Sequence, residues 1–259
     1  PVAFLIVPDK ISQKTNKDVY VPWKEQPRTF NENDAKKFLS KFPEDAKGKR
    51  VMIYVGEEAA RYKNIQDLLT EFSERLRAPV VYSMNSVNAV SPNNRFAAGF
   101  IGLGFNDFSW QLWQSLTKDD VVVCIGYDPG EYEMNSANIP ARVWHLTNDV
   151  RPYGSKNGSF AHRVDGRYTK VRGDLELTLR ALTQGLRDKK LENLHTPIPE
   201  NLNFNEDYGP IAEGTVDLVE FYKVLPSLIK PNSYFNHDVC QAYIAEQRVS
   251  MRQIPGVTR

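Results

Sequence analysis

The sequence predicts an α/β fold in which helices cover both faces of a parallel sheet. Short apolar runs without polar alternation, such as Val51–Val55 and Val121–Ile125, are typical of strands that are buried on both faces. Between such runs lie stretches with the helical period, of which Ile65–Leu76 is the clearest. Strands that alternate with helices of about 10 to 15 residues indicate a parallel sheet with right-handed crossovers. We place this compact domain at residues 45–188.

The first part of the chain, residues 1–44, is predicted to be a linker and an extended lead-in from a preceding domain. Residues 2–7 form an apolar run that Pro8 ends, and residues 9–30 are polar and without a period. Asn31 or Asn33 can cap a helix that runs to about Phe42.

Within the compact domain, hydrophobic periodicity and turn residues set the remaining elements. Strands are predicted at 51–55, 78–82, 121–125, 141–146 and 168–171, and helices at 65–76, at 108–116 and after the N-cap Asp174. Residues 85–94 are predicted to be a loop, and the glycine-bearing residues 97–104 that follow are assigned to no strand or helix. The proline-containing residues 189–213 are interpreted as a linker, and a helix is expected at 216–229. Residues 214–259 then resemble the start of an incomplete second α/β unit, and the first residue, Pro1, suggests a piece of a longer protein.

Composition narrows the range of partners. The net charge of +1, from 33 basic and 32 acidic residues, gives no strong attraction to nucleic acid or to an anionic membrane. No apolar run approaches the roughly 20 residues that span a bilayer. The two cysteines and four histidines show no metal-ligand spacing, so the cysteines are expected to be reduced thiols and the histidines structural or surface residues. A cytoplasmic protein is the corresponding expectation.

The candidate cofactor-binding residues follow predicted strands. Gly126 and Asp128 come directly after the strand at 121–125, and ligands of open parallel sheets lie beyond the carboxyl ends of the strands. Gly99 and Gly102 belong to a G-x-x-G-x-G pattern outside a strand-then-helix frame, where backbone N–H groups can approach a nucleotide or an ADP-like group.

Other polar residues are interpreted as structural. Glu57 and Glu58 would repel a phosphate at the turn after the first strand, and we interpret both as surface residues that compensate a helix dipole. Asp128, Glu131 and Glu133 are interpreted as solvated turn residues rather than as an acid–base pair. No phosphate loop, nucleophile elbow or HExxH motif occurs, so no catalytic residue is assigned.

Several segments resemble a known family. The stretch from VMIYVGEEAARYKN to RFAAGFIG, residues 51–102, is similar to the start of the middle domain of thiamine-diphosphate-dependent enzymes. DDVVVCIGYDPGEYE resembles the IGYDPxEYE segment of the catabolic type of acetolactate synthase, and Gly173-Asp174 with its leucine helix resembles the end of that domain. The resemblance covers residues 50 to 187, and more weakly Asp238-Val239-Cys240-Gln241, which is similar to the Asp-Val-Gly-Gln that opens the third domain.

The resemblance implies a three-layer, nucleotide-binding-like middle domain, followed by a partial second α/β unit, in a homo-oligomeric transferase. Such enzymes use thiamine diphosphate and magnesium to decarboxylate pyruvate and to join the two-carbon unit to a second 2-oxo acid. Gln241 is the residue that the resemblance places at the cofactor. Some members bind FAD, but Ser86-Val87-Asn88 stands where the Gly-Lys-Gly-type turn used there would be.

The departures leave two hypotheses for the function. The family's activating glutamate and its magnesium-binding Gly-Asp-Gly…Asn motif lie in domains outside these 259 residues, and Cys240 and Ala242 replace a glycine and a histidine. By itself the chain is therefore expected not to catalyse a reaction. Either further domains, on the same gene or in companion chains, complete a thiamine site, or the chain is a cofactor-free descendant with a structural or assembly role.

Overall fold

A six-stranded sheet forms the centre of the computed structural model, which describes residues 28–102, 105–128, 138–151, 154–204 and 212–230. The strands are β1 (Val51–Val55), β2 (Val80–Tyr82), β3 (Ala97–Phe100), β4 (Val121–Ile125), β5 (Arg142–Thr147) and β6 (Tyr168–Arg172). Their spatial order is β3-β2-β1-β4-β5-β6, and every neighbouring pair is parallel. The predicted fold class, an α/β domain with a parallel sheet, is confirmed.

Five α-helices accompany the sheet in the described part of the chain. They are α1 (Glu32–Ala46), α2 (Ile65–Leu76), α3 (Asp107–Gln114), α4 (Leu175–Leu186) and α5 (Leu218–Leu228), and short 3-10 helices occur at Glu57–Arg61, Met84–Ala89 and Ala161–Arg163. Each helix α1 to α4 presents an apolar stripe that must be buried, and the two faces of the sheet provide the surface for it.

Two hydrophobic clusters lie on opposite faces of the sheet, because successive side chains of a strand point to opposite sides. Ile53 and Val55 of β1 belong to the cluster that includes α1, α2 and α4. Tyr54 belongs to the other cluster, in which α3 contributes Leu112. All five residues of β1 and of β4 are buried, as the absence of polar alternation in their sequences predicted.

Helix α1 is longer than predicted and belongs to the core. It ends at Ala46 rather than near Phe42 and includes Pro43. The rings of Phe38 and Phe42 stack with 4.7 Å between their centroids, and Phe38 also meets Trp144 of β5 edge-on at 5.0 Å. The domain boundaries proposed from the sequence stay predictions. Residues 32–44, within the range predicted as a linker and lead-in, nevertheless form most of α1 and contribute Phe38 and Phe42 to the hydrophobic core.

Strand β3 lies within residues 97–104, where no strand was predicted. Ala97–Phe100 pairs in parallel with β2, with an irregular register between Val80 and Val81. The sequence AAGF contains no β-branched residue, so strand propensity does not predict a strand here. All four of its residues are nevertheless buried, which shows that sheet pairing and packing decide its conformation. Gly99 therefore lies within β3 and Gly102 lies between β3 and α3, so these two glycines are in a strand-then-helix frame.

The chain before α1 is attached at the end of β6. Phe30 forms an antiparallel bridge with Gly173, where φ is +136° and a β-carbon would lie 2.4 Å from the Phe30 Cα. Arg28 donates to both carboxylate oxygens of Asp174, at 2.7 and 2.8 Å, and to Glu176 at 2.7 Å. Asp174 also caps α4 by accepting from the Leu177 N–H, as its predicted role as N-cap requires.

The segment after α4 runs back along the domain. Leu194 forms a bridge with Arg50 before β1, and the Leu202 carbonyl accepts from the Phe108 N–H at the start of α3. The predicted helix at 216–229 is present as α5. None of the helices in the described ranges combines the length and the apolar character that a membrane crossing requires.

Candidate functional site

The carboxyl edge of the sheet between β1 and β4 is the place where an α/β domain of this topology binds ligands. The chain proceeds from β1 to β2 and β3 on one side and then crosses to β4 on the other, so the strand order reverses between these two strands. Residues 56–58 follow β1, and residues 126–128 follow β4. This edge therefore contains two of the predicted cofactor-binding residues, Gly126 and Asp128.

Gly126 lies in close contact with the chain that follows β1. Its φ is +62°, and a β-carbon added to it would lie 2.6 Å from the backbone nitrogen of Ala59. The Gly126 carbonyl accepts from the Glu58 N–H at 3.1 Å, and the Gly56 N–H donates to the Ile125 carbonyl at 2.9 Å. The space beside Gly126 is thus taken by the 3-10 helix Glu57–Arg61, and a cofactor-binding role for this glycine stays a prediction.

Glu58 is a buried carboxylate at this edge, with only 4% of its surface exposed. Its Oε2 accepts from the Thr147 hydroxyl at 2.5 Å, and its Oε1 accepts from the Asn148 N–H at 2.8 Å. The Tyr62 hydroxyl lies 3.5 Å from Oε1. Burial raises the pKa of Glu58 to about 7, because desolvation outweighs the two hydrogen bonds that favour the charged form.

The interpretation of both glutamates as surface residues is wrong for Glu58. Glu57 is half-buried and does reach the surface, where it pairs with Arg61 and accepts from the Asn85 side chain. Glu58 instead turns toward the end of β5, which lies on the far side of β4. Its partners come from about 90 residues further along the chain, so no local pattern in the sequence distinguishes it from its neighbour.

The other predicted glycines lie at the end of β3. Gly99 has a φ of +110°, and the place of its missing side chain is filled by the Asn106 side chain, whose Oδ1 would lie 2.5 Å from an added β-carbon. That same oxygen accepts from the Phe100 N–H at 2.6 Å. Gly102 follows with a φ of +119°, and its carbonyl accepts from the Phe105 N–H. Asn106 is thus the group that meets Gly99, and the glycine periodicity gave no indication of it.

Most of the remaining predicted residues lie outside the described ranges. Asp128 is half-buried and lies two residues beyond Gly126. Gln241, Glu131 and Glu133 lie outside the described residues. Their predicted roles are therefore untested.

A groove of about 710 Å³ lies beside β6 and beyond the carboxyl end of β5. Its lining includes Asn148, Asp149 and Lys170. The Lys170 ammonium donates to the carbonyls of Asp149, Val150 and Gly158, at 2.9, 3.3 and 3.0 Å. Burial lowers the pKa of Lys170. Through these contacts, Lys170 holds together the loops around the groove.

His145 on β5 is a structural residue, one of the two roles expected for the histidines. Its Nε2 lies 3.1 Å from the Tyr127 carbonyl, which can only accept, so Nε2 carries the proton. Nδ1 then accepts from the Tyr168 hydroxyl at 2.9 Å. Complete burial lowers the pKa of His145 to about 3, and the ring is neutral at physiological pH.

The described residues do not fit a thiamine diphosphate–magnesium site. Over the described ranges, no group of three or more His, Cys, Asp or Glu side chains is arranged to hold a metal ion. At the carboxyl edge, the carboxyl group of Glu58 already accepts from the Thr147 hydroxyl and the Asn148 N–H, so these two donors are not available to a diphosphate.

Solved structures with the same fold include two decarboxylases. Benzoylformate decarboxylase from Polynucleobacter necessarius matches with a TM-score of 0.60 and 16% identity, over 94% of this chain and 43% of that protein. The thiamine diphosphate-dependent 4-hydroxybenzoylformate decarboxylase of Rhodococcus jostii RHA1 matches with a TM-score of 0.60 and 13% identity, over 91% and 42%. The chain thus spans less than half the length of these proteins, and at this identity the likeness shows the fold alone.

Sequence comparison identifies the family. No curated protein matches the sequence. The family model for the central domain of thiamine pyrophosphate enzymes matches residues 46–182, which is more than half of the chain. The matched range begins at the last residue of α1 and ends within α4, and it contains the whole six-stranded sheet. The chain therefore belongs to the thiamine pyrophosphate enzyme family and carries its central domain.

Proposed function

We propose that this chain is the central part of an acetolactate-synthase-like protein, which in its complete form decarboxylates pyruvate and joins the product to a second 2-oxo acid. The observation that carries the proposal is the segment DDVVVCIGYDPGEYE, which contains β4 and resembles the catabolic type of acetolactate synthase. Two structural neighbours are named as decarboxylases of benzoylformate and 4-hydroxybenzoylformate. The choice of substrate therefore distinguishes an acetolactate synthase from a decarboxylase of that kind.

In the complete protein, bound thiamine diphosphate would supply the carbanion chemistry. The described residues would contribute position rather than chemistry. The six-stranded sheet packs between two hydrophobic clusters, and the ion pairs of Arg28 with Asp174 and Glu176 fix the chain at the start of that unit. Additional domains or companion chains, and a homo-oligomer, are parts of the same proposal.

The test is an assay of the native full-length protein with thiamine diphosphate and magnesium. Pyruvate and benzoylformate are supplied in separate reactions, and carbon dioxide and acetolactate are measured in each. Acetolactate formed from pyruvate supports the proposal. Carbon dioxide released from benzoylformate, without acetolactate from pyruvate, overturns it in favour of a decarboxylase.

A second candidate function is an assembly role without cofactor. Cys240 and Ala242 favour it, because they replace the glycine and the histidine that the family has at the opening of its third domain. Glycine allows close backbone approach to a ligand, and a side chain at that position removes it. Titration calorimetry of the native protein with thiamine diphosphate and magnesium distinguishes the two. No saturable heat, together with a defined oligomer by mass measurement, supports the assembly role.

A further inference from the structure

The donors that hold the Glu58 carboxylate are fixed by the fold independently of Glu58. Thr147 is the last residue of β5, and its hydroxyl oxygen accepts from the Asp149 N–H at 3.0 Å. That bond directs the hydroxyl proton away from Asp149, toward Glu58. The Asn148 N–H points at the same carboxylate because the backbone leaves β5 there. Two donors at the end of β5 therefore converge on one buried point, which the Tyr62 hydroxyl also approaches, at 3.5 Å from Oε1.

The charges around this point are paired among themselves. Arg61 lies 3.6 Å from Asp149 in an ion pair, and the Lys170 ammonium is occupied by three backbone carbonyls. Glu58 makes no ion pair within the described residues, and the hydrogen bonds from Thr147 and Asn148 favour its charged form more than the nearby Arg61 does. The pocket thus recognises a carboxyl group by its two oxygens.

The position of this pocket is that of a ligand site. It lies at the carboxyl edge, where the chain after β1 crosses the end of β4, and open parallel sheets bind their ligands at such a reversal of strand order. We infer that Glu58 is an internal ligand of this edge, and that its removal opens a pocket that binds a small external carboxylate such as acetate or formate.

The choice of acetate follows from the atoms that a substitution removes. Glu58→Ala keeps the β-carbon and deletes a methylene and a carboxylate, which together have the same heavy atoms as acetate. The buried donors would be left without a partner in the variant, and unpaired buried donors strongly favour any group that satisfies them. Phosphate is larger and more highly charged, so it should not fit the same space.

The experiment compares the melting temperature of full-length chains in acetate, formate and chloride at equal ionic strength and at pH 6. Glu58→Ala is the test variant. Glu58→Gln keeps the pocket filled, and Glu57→Ala removes the neighbouring carboxylate at the surface. At acetate about 100-fold above its dissociation constant, we expect the melting temperature of Glu58→Ala to rise by about 5 °C or more. The wild type and both control variants should shift no more in acetate than in chloride.

A shift of equal size in the wild type, or none in folded Glu58→Ala, overturns the inference. If Glu58→Ala does not fold in chloride, its refolding from denaturant is followed in acetate. Acetate-dependent recovery of the native circular-dichroism spectrum supports an internal ligand. Failure to fold at any acetate or formate concentration counts against it.

Discussion

The titration of Glu58 should make this domain less stable as the pH rises. Burial raises the pKa of this carboxyl group from 4.5 to about 7, so between these values the folded state binds more protons than the unfolded state. Stability from this group is then complete below pH 4.5 and is lost as the pH rises through 7. From pH 5 to pH 8 the loss is about 2.5 kcal/mol at 1.36 kcal/mol per pKa unit.

Urea denaturation of the wild type and of Glu58→Gln, at pH 5, 6, 7 and 8, measures this loss. The glutamine can accept from the Asn148 N–H as the carboxylate does, but it does not titrate. The free energy of unfolding of the wild type, relative to Glu58→Gln, should fall by about 2.5 kcal/mol across this range. Using the difference between the two proteins cancels every other titrating group.

Glu57→Gln is the matched control, since Glu57 is adjacent in sequence and reaches the surface. Its difference from the wild type should stay constant with pH to within about 0.5 kcal/mol, as for most surface substitutions. If the difference for Glu58→Gln is equally constant, the carboxylate is ionised in the fold at all four pH values. Burial would then not raise the pKa of Glu58.

Two further predictions concern the buried His145 and two closely packed glycines. Because burial lowers the pKa of His145 to about 3, the unfolded state binds more protons below pH 6.5, and the wild type should lose about 2 kcal/mol between pH 7 and pH 5 relative to His145→Gln, measured by urea denaturation. Gly126→Ala and Gly173→Ala should each cost about 3 kcal/mol or more, since strain at positive φ adds to a backbone clash. Gly48→Ala is their control: its φ is +66° with no atom within 4 Å, so a cost of about 1 kcal/mol is expected. Equal costs at all three glycines would contradict the role of close packing.

The sequence predicts the elements whose determinants are local. Strands β1 and β4 follow from apolar runs, and α2 follows from its period, because burial on one or both faces leaves a pattern in consecutive residues. Strand β3 could not be predicted in this way. Its residues are alanines, a glycine and a phenylalanine, and it forms because β2 offers an unpaired edge.

The candidate site divides in the same manner. The carboxyl edge after β4 and its Gly126 were predicted, because a glycine after a buried strand is a local signal. The burial of Glu58 was not, since it depends on Thr147, a partner 89 positions away. A buried carboxylate needs donors that tertiary structure supplies, and the residue type alone favours a surface position.

Gly126 and Glu58 are expected to be energetically coupled, because β4 lies between β1 and β5. A side chain that starts after β1 and reaches the end of β5 must pass over the end of β4. The missing side chain of Gly126 leaves room for the chain that carries Glu58, because an added β-carbon would lie 2.6 Å from the Ala59 backbone nitrogen and 3.1 Å from the Glu58 Cβ. We therefore expect the costs of Gly126→Ala and Glu58→Ala to be non-additive in a double-mutant cycle, by about 1 kcal/mol or more. Once the carboxylate is gone, the 3-10 helix can move away from position 126, so the second substitution costs less. Strict additivity in urea denaturation at pH 6 would show that Gly126 serves the local turn and not the reach of Glu58.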